Sequence, residues 1–125
     1  MGTYLLVSAF DPRAAIRAVA SAPAPIDLCV TSPSPQAHET AAAAIGRRWV
    51  YTTDEPLLAA RVDGESEADV VARYAEALRI LWAYDAKSAL VVCDELAILG
   101  DTMLVLDSVA LARAADDLEQ ALPLP

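Results

Sequence analysis

Hydrophobic and polar residues occur along the chain in blocks that predict strands separated by helices. Short runs rich in aliphatic and β-branched residues are typical of buried strands, whereas longer stretches with apolar residues three or four positions apart indicate helices. The predicted strands, in chain order, are residues 3–10, 26–30, 47–53, 88–93 and the run TMLVLD that ends at Asp107. The run at 88–93 is continuously apolar, which predicts a strand in the middle of a parallel sheet.

Helix boundaries are indicated by capping residues between these strands. Asp11, followed by a proline, predicts the start of a first helix that ends before the PAP at 23–25. Thr31 or Ser32 is predicted to cap a second helix, with Pro33 in its first turn and a glycine C-cap near residue 46.

The third helix has the strongest signal in the chain. Ser66 and Asp69 form a predicted capping box, and apolar residues follow on one helical face. That face contains Val70, Tyr74, Leu78 and Leu81. Residues 54–66 are predicted to form a loop or short helical turn, DELAILGD a second one, and a last helix is capped by Asp107 or Ser108.

This alternation predicts a single α/β domain over residues 1–125, a three-layer sandwich with a mostly parallel sheet. Ligands of such sheets bind beyond the carboxyl ends of the strands. The segments expected near such a site are 8–11, 31–36, 52–55 and 93–95.

Composition narrows the expected partners. The net charge is −9, with nine Lys and Arg residues scattered along the chain, which argues against nucleic-acid binding. Hydrophobic residues make up 56% of the chain, which argues against disorder. The N-terminal apolar run is too short to span a membrane and lacks a basic flank, so we expect a cytoplasmic protein with no membrane partner.

The two cysteines each end an apolar run, and they are expected to be reduced, buried thiols. If their strands are neighbours, Cys29 and Cys93 would lie near each other. Asp94 and Glu95 should raise the pKa of the Cys93 thiol, which disfavours a nucleophilic thiolate. His38 with Glu39 makes no metal motif, so we expect a solvent-facing helical histidine and neither a metal nor another cofactor.

The stretch TSPSPQAHETA at 31–41 resembles the SP-x-x-RA-x-QTA segment of the histidine phosphatase (phosphoglycerate mutase-like) superfamily. The matching residues are Ser32, Pro33, Ala37, Thr40 and Ala41. Further along, PLL…DGES…VVARYAEAL is similar to that family's acidic loop and the helix after it, and ALVVCDE stands where a strand ending in V-S-H-G is expected. The resemblance implies a reduced phosphoglycerate mutase-like fold.

The resemblance also implies that the catalytic set is missing. SAF at 8–10 stands where the family has RHG, so Ser8 replaces an arginine, Ala9 the nucleophilic histidine and Phe10 the glycine. Gln36 replaces the second arginine and Asp94 the second histidine.

The position of the family's acidic general acid falls near Ala59 or Ala60. The residues of this vestigial cleft are therefore Ser8, Ala9, Phe10, Ser32, Gln36, Asp94 and Glu95. No residue of the cleft is expected to be catalytic.

These replacements remove the chemistry of phosphoryl transfer. Imidazole is nucleophilic near neutral pH, whereas alanine has no lone pair to offer. A neutral amide and a carboxylate replace groups that would stabilise a phosphoryl transition state. Phe10 is expected to fill the former phosphate cavity. We therefore expect a pseudoenzyme that acts as an interaction or regulatory module, either as a homo-oligomer or with another protein partner.

Asp94 is expected to cap the next helical turn, but two alternatives remain at this point. One alternative is a small-molecule or cation-binding protein in which Asp94, with Asp11 or Glu55, forms an acidic pocket. The other is an enzyme of another class that uses the polar groups of the same cleft, which are Ser8, Ser32, Asp94 and His38. Trp49 and Trp82 are expected to pack in the core.

Overall fold

The computed structural model describes residues 2–100 and 103–122, and over this range the chain is an α/β fold with a five-stranded sheet and four α-helices. The strands are β1 (Thr3–Ser8), β2 (Leu28–Thr31), β3 (Tyr51–Asp54), β4 (Ser88–Cys93) and β5 (Met103–Asp107). The helices are α1 (Pro12–Ala20), α2 (Pro35–Ile45), α3 (Glu67–Ala83) and α4 (Ser108–Gln120). Short 3₁₀ turns span Pro56–Leu58 and Leu96–Leu99.

The sheet has the order β3-β2-β4-β1-β5. The first four of these strands are parallel, whereas β5 runs antiparallel to β1. The prediction for 88–93 is confirmed, because β4 is the central strand and all six of its residues are buried. A central strand has strands on both edges and side chains packed on both faces, which is why it has no polar face.

Helices pack on both faces of the sheet. Tyr4 and Leu6 of β1 belong to a core cluster shared with α3 and α4. Leu5 and Val7, which point the opposite way, belong to a second cluster shared with α1 and α2. In the described part of the chain, no helix is long and apolar enough to cross a membrane.

Several capping predictions are confirmed. The Asp11 carboxylate accepts a hydrogen bond from the Ala14 N–H at 3.0 Å, so it caps α1. Ser66 and Asp69 form the reciprocal capping box of α3, and Asp107 caps α4. The predicted apolar face of α3 is buried at all four positions.

The start of α2 differs from the prediction. Thr31 is the last residue of β2, and the Ser32 N–H donates to the Val92 carbonyl at 2.9 Å, which continues the contact with β4. The helix begins at Pro35, and its cap is Ser34, whose hydroxyl accepts from the Ala37 N–H. Ser32-Pro33 and Ser34-Pro35 carry the same capping signal. Because Ser32 pairs with β4, the second dipeptide starts the helix.

Other boundaries are shorter than predicted. β1 ends at Ser8 instead of residue 10, because the chain turns there: the Asp11 N–H donates to the Ser8 carbonyl. β3 covers only 51–54 instead of 47–53. The Arg48 N–H donates to the Ile45 carbonyl at 3.3 Å, so the backbone is still turning after α2 where the strand was predicted to begin.

The tryptophans are not in the core, contrary to the prediction. Trp49 is fully exposed in the connection to β3, and Trp82 is 54% exposed near the end of α3. Within the described residues no element lies beyond β3 at its edge of the sheet, so nothing covers Trp49.

Candidate functional site

The carboxyl ends of the parallel strands lie side by side at one end of the strands, as predicted. Ser8 is the register partner of Cys93, and Thr31 is the register partner of both Val92 and Asp54. The segments that follow β1, β2 and β4 are therefore neighbours, although the strand ends at Ser8, Thr31 and Cys93 are 23 to 85 residues apart along the chain. The Ala9 N–H donates to the Cys93 carbonyl at 2.9 Å, which holds the first of these tips against the third.

Asp94 is the centre of this group. Its carboxylate accepts hydrogen bonds from the Ser32 hydroxyl at 2.5 Å, the Ser34 hydroxyl at 2.9 Å and the Ala60 N–H at 3.2 Å. Ser32 is fully buried, and Ser34 is also the cap of α2. The prediction that Asp94 caps the next helical turn is wrong, because that turn has Glu95 as its first flanking residue and no side-chain cap.

Ala9 lies beneath α2 and is fully buried. Its carbonyl accepts a hydrogen bond from the Thr40 hydroxyl at 2.5 Å. The Thr40 hydroxyl therefore bonds to the backbone of Ala9, which is the residue that stands where the resemblance expects a nucleophile. The Ser8 hydroxyl is also used locally, since it accepts from the Phe10 N–H at 3.1 Å.

Phe10 does not fill the cleft. The turn at 8–11 places Ala9 inward and leaves Phe10 64% exposed, which corrects the sequence-based expectation. Gln36 is exposed in the first turn of α2. The structure thus joins Ser32 to Asp94 by direct hydrogen bonding and leaves Phe10 and Gln36 facing solvent.

A loop covering residues 55–65, here called the anchored loop, packs against the strand tips. Arg73 of α3 donates to the carbonyls of Leu57 and Ala59 at 2.8 and 3.0 Å and forms an ion pair with Glu65 at 2.7 Å. Hydrogen bonding to Arg73 is the largest cause that lowers the pKa of Glu65 to about 2.

Tyr74 and Glu95 also form hydrogen bonds with the anchored loop. The Tyr74 hydroxyl donates to the Leu58 carbonyl at 2.6 Å and accepts from the Glu95 N–H at 2.8 Å. The Glu95 carboxylate accepts from the Arg61 N–H at 2.9 Å. Burial raises the pKa of Tyr74 above its ordinary value, so this hydroxyl stays protonated and keeps its donor.

Sequence reasoning missed the part that Arg73 plays. Arg73 lies beside the apolar stripe of α3, where a solvated arginine is the ordinary expectation. Its partners lie 8 to 16 residues earlier, in a segment without helical or strand periodicity. The one available signal was the position of Arg73 next to the buried Tyr74.

The three carboxylates of the alternative acidic pocket each accept hydrogen bonds from the chain itself. Asp11 caps α1, Glu55 accepts from the Leu57 N–H at 3.0 Å, and Asp94 is bonded to its own three donors. Each carboxylate is used by a donor of the chain itself. Over residues 2–100 and 103–122, no group of three or more His, Cys, Asp or Glu side chains is placed to hold a metal ion.

His38 is exposed on α2, as predicted, and it belongs to a different group of residues from Ser32 and Asp94. Its Nε2 is 2.8 Å from Oδ1 of Asp54, and both side chains are about half exposed. The pair borders a groove of about 380 Å³ between α2 and β3, with Thr52, Ala41 and Ile45 among its lining residues. His38 therefore pairs with Asp54, and Ser32 pairs with Asp94, so these residues do not form a nucleophile–base–acid triad.

The two cysteines are free and buried, as predicted, but they do not approach each other. Cys29 belongs to the core cluster under α1 and α2, and Cys93 to the cluster on the opposite face of the sheet. Burial raises the pKa of Cys29 to about 12. Burial first, and then the charge of Asp94, raises the pKa of Cys93, so neither thiol is poised as a nucleophile.

No protein-family model, curated protein or solved structure matches the chain. The arrangement of the strand tips, the Asp94 carboxylate and the anchored loop is therefore the basis for inferring function.

Proposed function

We propose that this chain is a non-catalytic, histidine-phosphatase-like protein, a pseudoenzyme with a reduced phosphoglycerate mutase-like three-layer fold that acts by binding another protein chain. The observation that carries the proposal is the state of Asp94. Its carboxylate stands where the resemblance expects a second histidine, and three donors of the chain itself occupy it. A ligand would have to displace these hydrogen bonds to use the carboxylate.

The chemistry of the remaining groups supports the same conclusion. Phosphoryl transfer needs a nucleophile with an available lone pair and positive charge around the phosphoryl oxygens. Ala9 offers neither, and Asp94 has the wrong sign. At ~4 Å and an effective dielectric near 20, one carboxylate charge opposes each unit of phosphate charge by roughly 4 kcal/mol.

Exposed apolar side chains support a binding role. Large hydrophobic side chains remain exposed at many positions, and they indicate a binding surface where they are contiguous, as Met103 and Val105 are on one face of β5. The exposed residues are Phe10, Ile16, Trp49, Tyr51, Val62, Trp82, Tyr84, Met103, Val105 and Val109. Helices on both faces of the mostly parallel sheet support the three-layer arrangement that the fold proposal requires.

An aryl phosphate assay tests the absence of catalysis. Purified protein should hydrolyse p-nitrophenyl phosphate no faster than the Ser32→Ala and Asp94→Asn variants, and inorganic phosphate should not raise its melting temperature. The control variant Glu39→Ala changes an exposed residue of α2 and one negative charge. Turnover that Ser32→Ala or Asp94→Asn abolishes, and that Glu39→Ala retains, would refute the proposal.

A second candidate is a small-molecule binder that uses the groove between α2 and β3. The His38–Asp54 pair at the mouth of that groove is the observation that favours it. Asp54 suits a cationic or hydrogen-bond-donating ligand with an apolar body. Small amines should then raise the melting temperature of the wild-type protein and not that of Asp54→Asn, while phosphate raises neither.

A further inference from the structure

β5 forms one edge of the sheet and leaves its outer backbone groups unpaired within the described part of the chain. It has no proline and no lysine, which are the residues that commonly protect an edge strand from pairing. On the α1 side of the sheet, Met103 and Val105 are exposed. Val105 lies opposite Leu5, which is buried, so the cover provided by α1 stops before β5.

The other side of the same edge is also apolar. A groove of about 330 Å³ lies between β5, the turn at Leu96–Leu99 and α4. Ile98, Leu99, Leu104 and Leu106 line it, and each of these side chains is only half buried. Apolar side chains therefore continue around β5 from one face of the sheet to the other.

α4 contributes one helical stripe to this groove. The stripe is Ala110, Arg113, Ala114, Asp117 and Leu118, with the spacing of a single helix face. The alanines permit close approach of another helix. Arg113 and Asp117 lie one turn apart with opposite charges, and in residues 2–100 and 103–122 neither forms an ion pair.

We propose that the β5 face, defined as β5 with the groove-lining stripe of α4, binds a second copy of this chain about a two-fold axis. The two β5 strands pair in antiparallel fashion and extend the sheet. The two α4 helices then run antiparallel across the axis, so that Arg113 of each chain faces Asp117 of the other. This inference rests on the proposed function and names its partner.

Self-complementarity is the reason for choosing a second copy as the occupant. An isologous interface requires each group to find its complement on the same surface, and an apolar edge strand beside one cation and one anion on one helix face meets that requirement. The chain as a whole has a net charge of −9, so two copies repel each other elsewhere. On this stripe the two charges cancel.

The opposite edge is less suited to this role. β3 is four residues long, with the sequence YTTD, and its Asp54 is already paired with His38. A strand of four residues, two of them threonine, offers a second copy less backbone and less apolar surface than β5 does. β3 therefore provides the matched control for the experiment.

Charge exchange tests the proposal by sedimentation equilibrium across a wide concentration range. The wild-type chain should sediment at twice its monomer mass. Arg113→Asp and Asp117→Arg alone should each weaken self-association at least tenfold, because each places like charges across the axis. An equimolar mixture of the two variants, or both changes in one chain, should restore the dimer, which loss of folding in a single variant would not explain.

The strand is tested in the same way. Val105→Lys should abolish the dimer, whereas Tyr51→Lys, which puts the same side chain on an exposed residue of β3, should leave it intact. A wild-type chain that is monomeric at all concentrations overturns the inference. So does a dimer that survives Val105→Lys, that Tyr51→Lys dissociates, or that the exchanged charges fail to restore.

These outcomes are separable from those that bear on the proposed function. A monomeric chain without phosphatase activity overturns the dimer alone. A dimer that hydrolyses aryl phosphate through Ser32 and Asp94 overturns the proposed function and leaves the dimer standing.

Discussion

Replacing Asp94 by alanine is the sharpest test of how the strand tips are held together. The change removes one acceptor group that serves three donors on two other segments, the loop before α2 and the anchored loop. We expect the folded state to lose much of the contact between these segments while the sheet itself remains. Asp94→Asn is the matched variant, because it keeps the shape and one acceptor oxygen.

The expected loss can be worked out from the three donors. The Ser32 hydroxyl is fully buried, and leaving it without an acceptor costs about 1–3 kcal/mol. The Ser34 hydroxyl still caps α2, and the exposed Ala60 N–H can bond to water, so together they add about 1 kcal/mol. Asp94→Ala should therefore lower the free energy of unfolding by about 3 kcal/mol, and Asp94→Asn by about 1 kcal/mol.

Urea unfolding at neutral pH measures these differences, and the m-value should stay constant if only stability changes. Glu39→Ala, which removes a charge from an exposed position, should stay within about 0.5 kcal/mol of the wild type. In a double-mutant cycle, Ser32→Ala and Asp94→Ala together should cost less than their sum by about 1 kcal/mol. If Asp94→Ala unfolds at the same urea concentration as Glu39→Ala, the account of this hydrogen-bonded centre is wrong.

Three further predictions concern the core and the anchored loop. Tyr74→Phe should lower the free energy of unfolding by about 2 kcal/mol in urea, because the buried Leu58 carbonyl and the part-buried Glu95 N–H both lose the hydroxyl; no change would contradict the role of that hydroxyl. Arg73 lowers the pKa of Glu65 to about 2, below its unfolded value of about 4.3. The ion pair therefore contributes its full stabilisation above a pH of about 4.3, and this contribution is lost as the pH falls toward 2. Glu65→Gln should accordingly melt below the wild type at neutral pH, with a gap that closes on acidification; a constant gap would argue against the pair. Cys29 and Cys93 should react with an aryl disulfide at mildly alkaline pH only after unfolding, and one equivalent of native reaction would show an accessible thiol.

The elements that local signals specify were predicted well. The capping box at Ser66 and Asp69 and the apolar face of α3 depend on residues within a few positions of each other. The central place of β4 was also predictable, because the five consecutive apolar residues 89–93 are typical of a strand covered on both faces. Because strands that alternate with helices pair in parallel, the carboxyl ends of β1, β2 and β4 were expected to be neighbours, as they are.

The start of α2 shows where a local signal was ambiguous. Two SP dipeptides precede that helix, and each presents a serine cap followed by proline. Hydrogen bonding of Ser32 to β4 and to Asp94 selected the second dipeptide. That choice depends on residues about sixty positions away, which local capping rules do not include.

The position of the candidate site could be predicted from the sequence, whereas the hydrogen bonds of its side chains could not. Topology alone predicted that Ser32 and Asp94 would be neighbours. That Asp94 is bonded to the chain's own donors, and that Arg73 fixes the anchored loop, follows from contacts between segments 13 to 62 residues apart. No spacing in the sequence encodes such contacts.

The sequence by itself determined the fold class and the caps of α1, α3 and α4, because each depends on residue type or on short-range spacing. Only the tertiary structure decided which apolar residues are covered. Phe10, Trp49 and Val105 have the same preference for burial as the residues of the core, yet they lie where the turn at 8–11, the approach to β3 and the edge at β5 leave them without a neighbouring element. Burial is a property of what packs against a residue, and that is set by the arrangement of the whole chain.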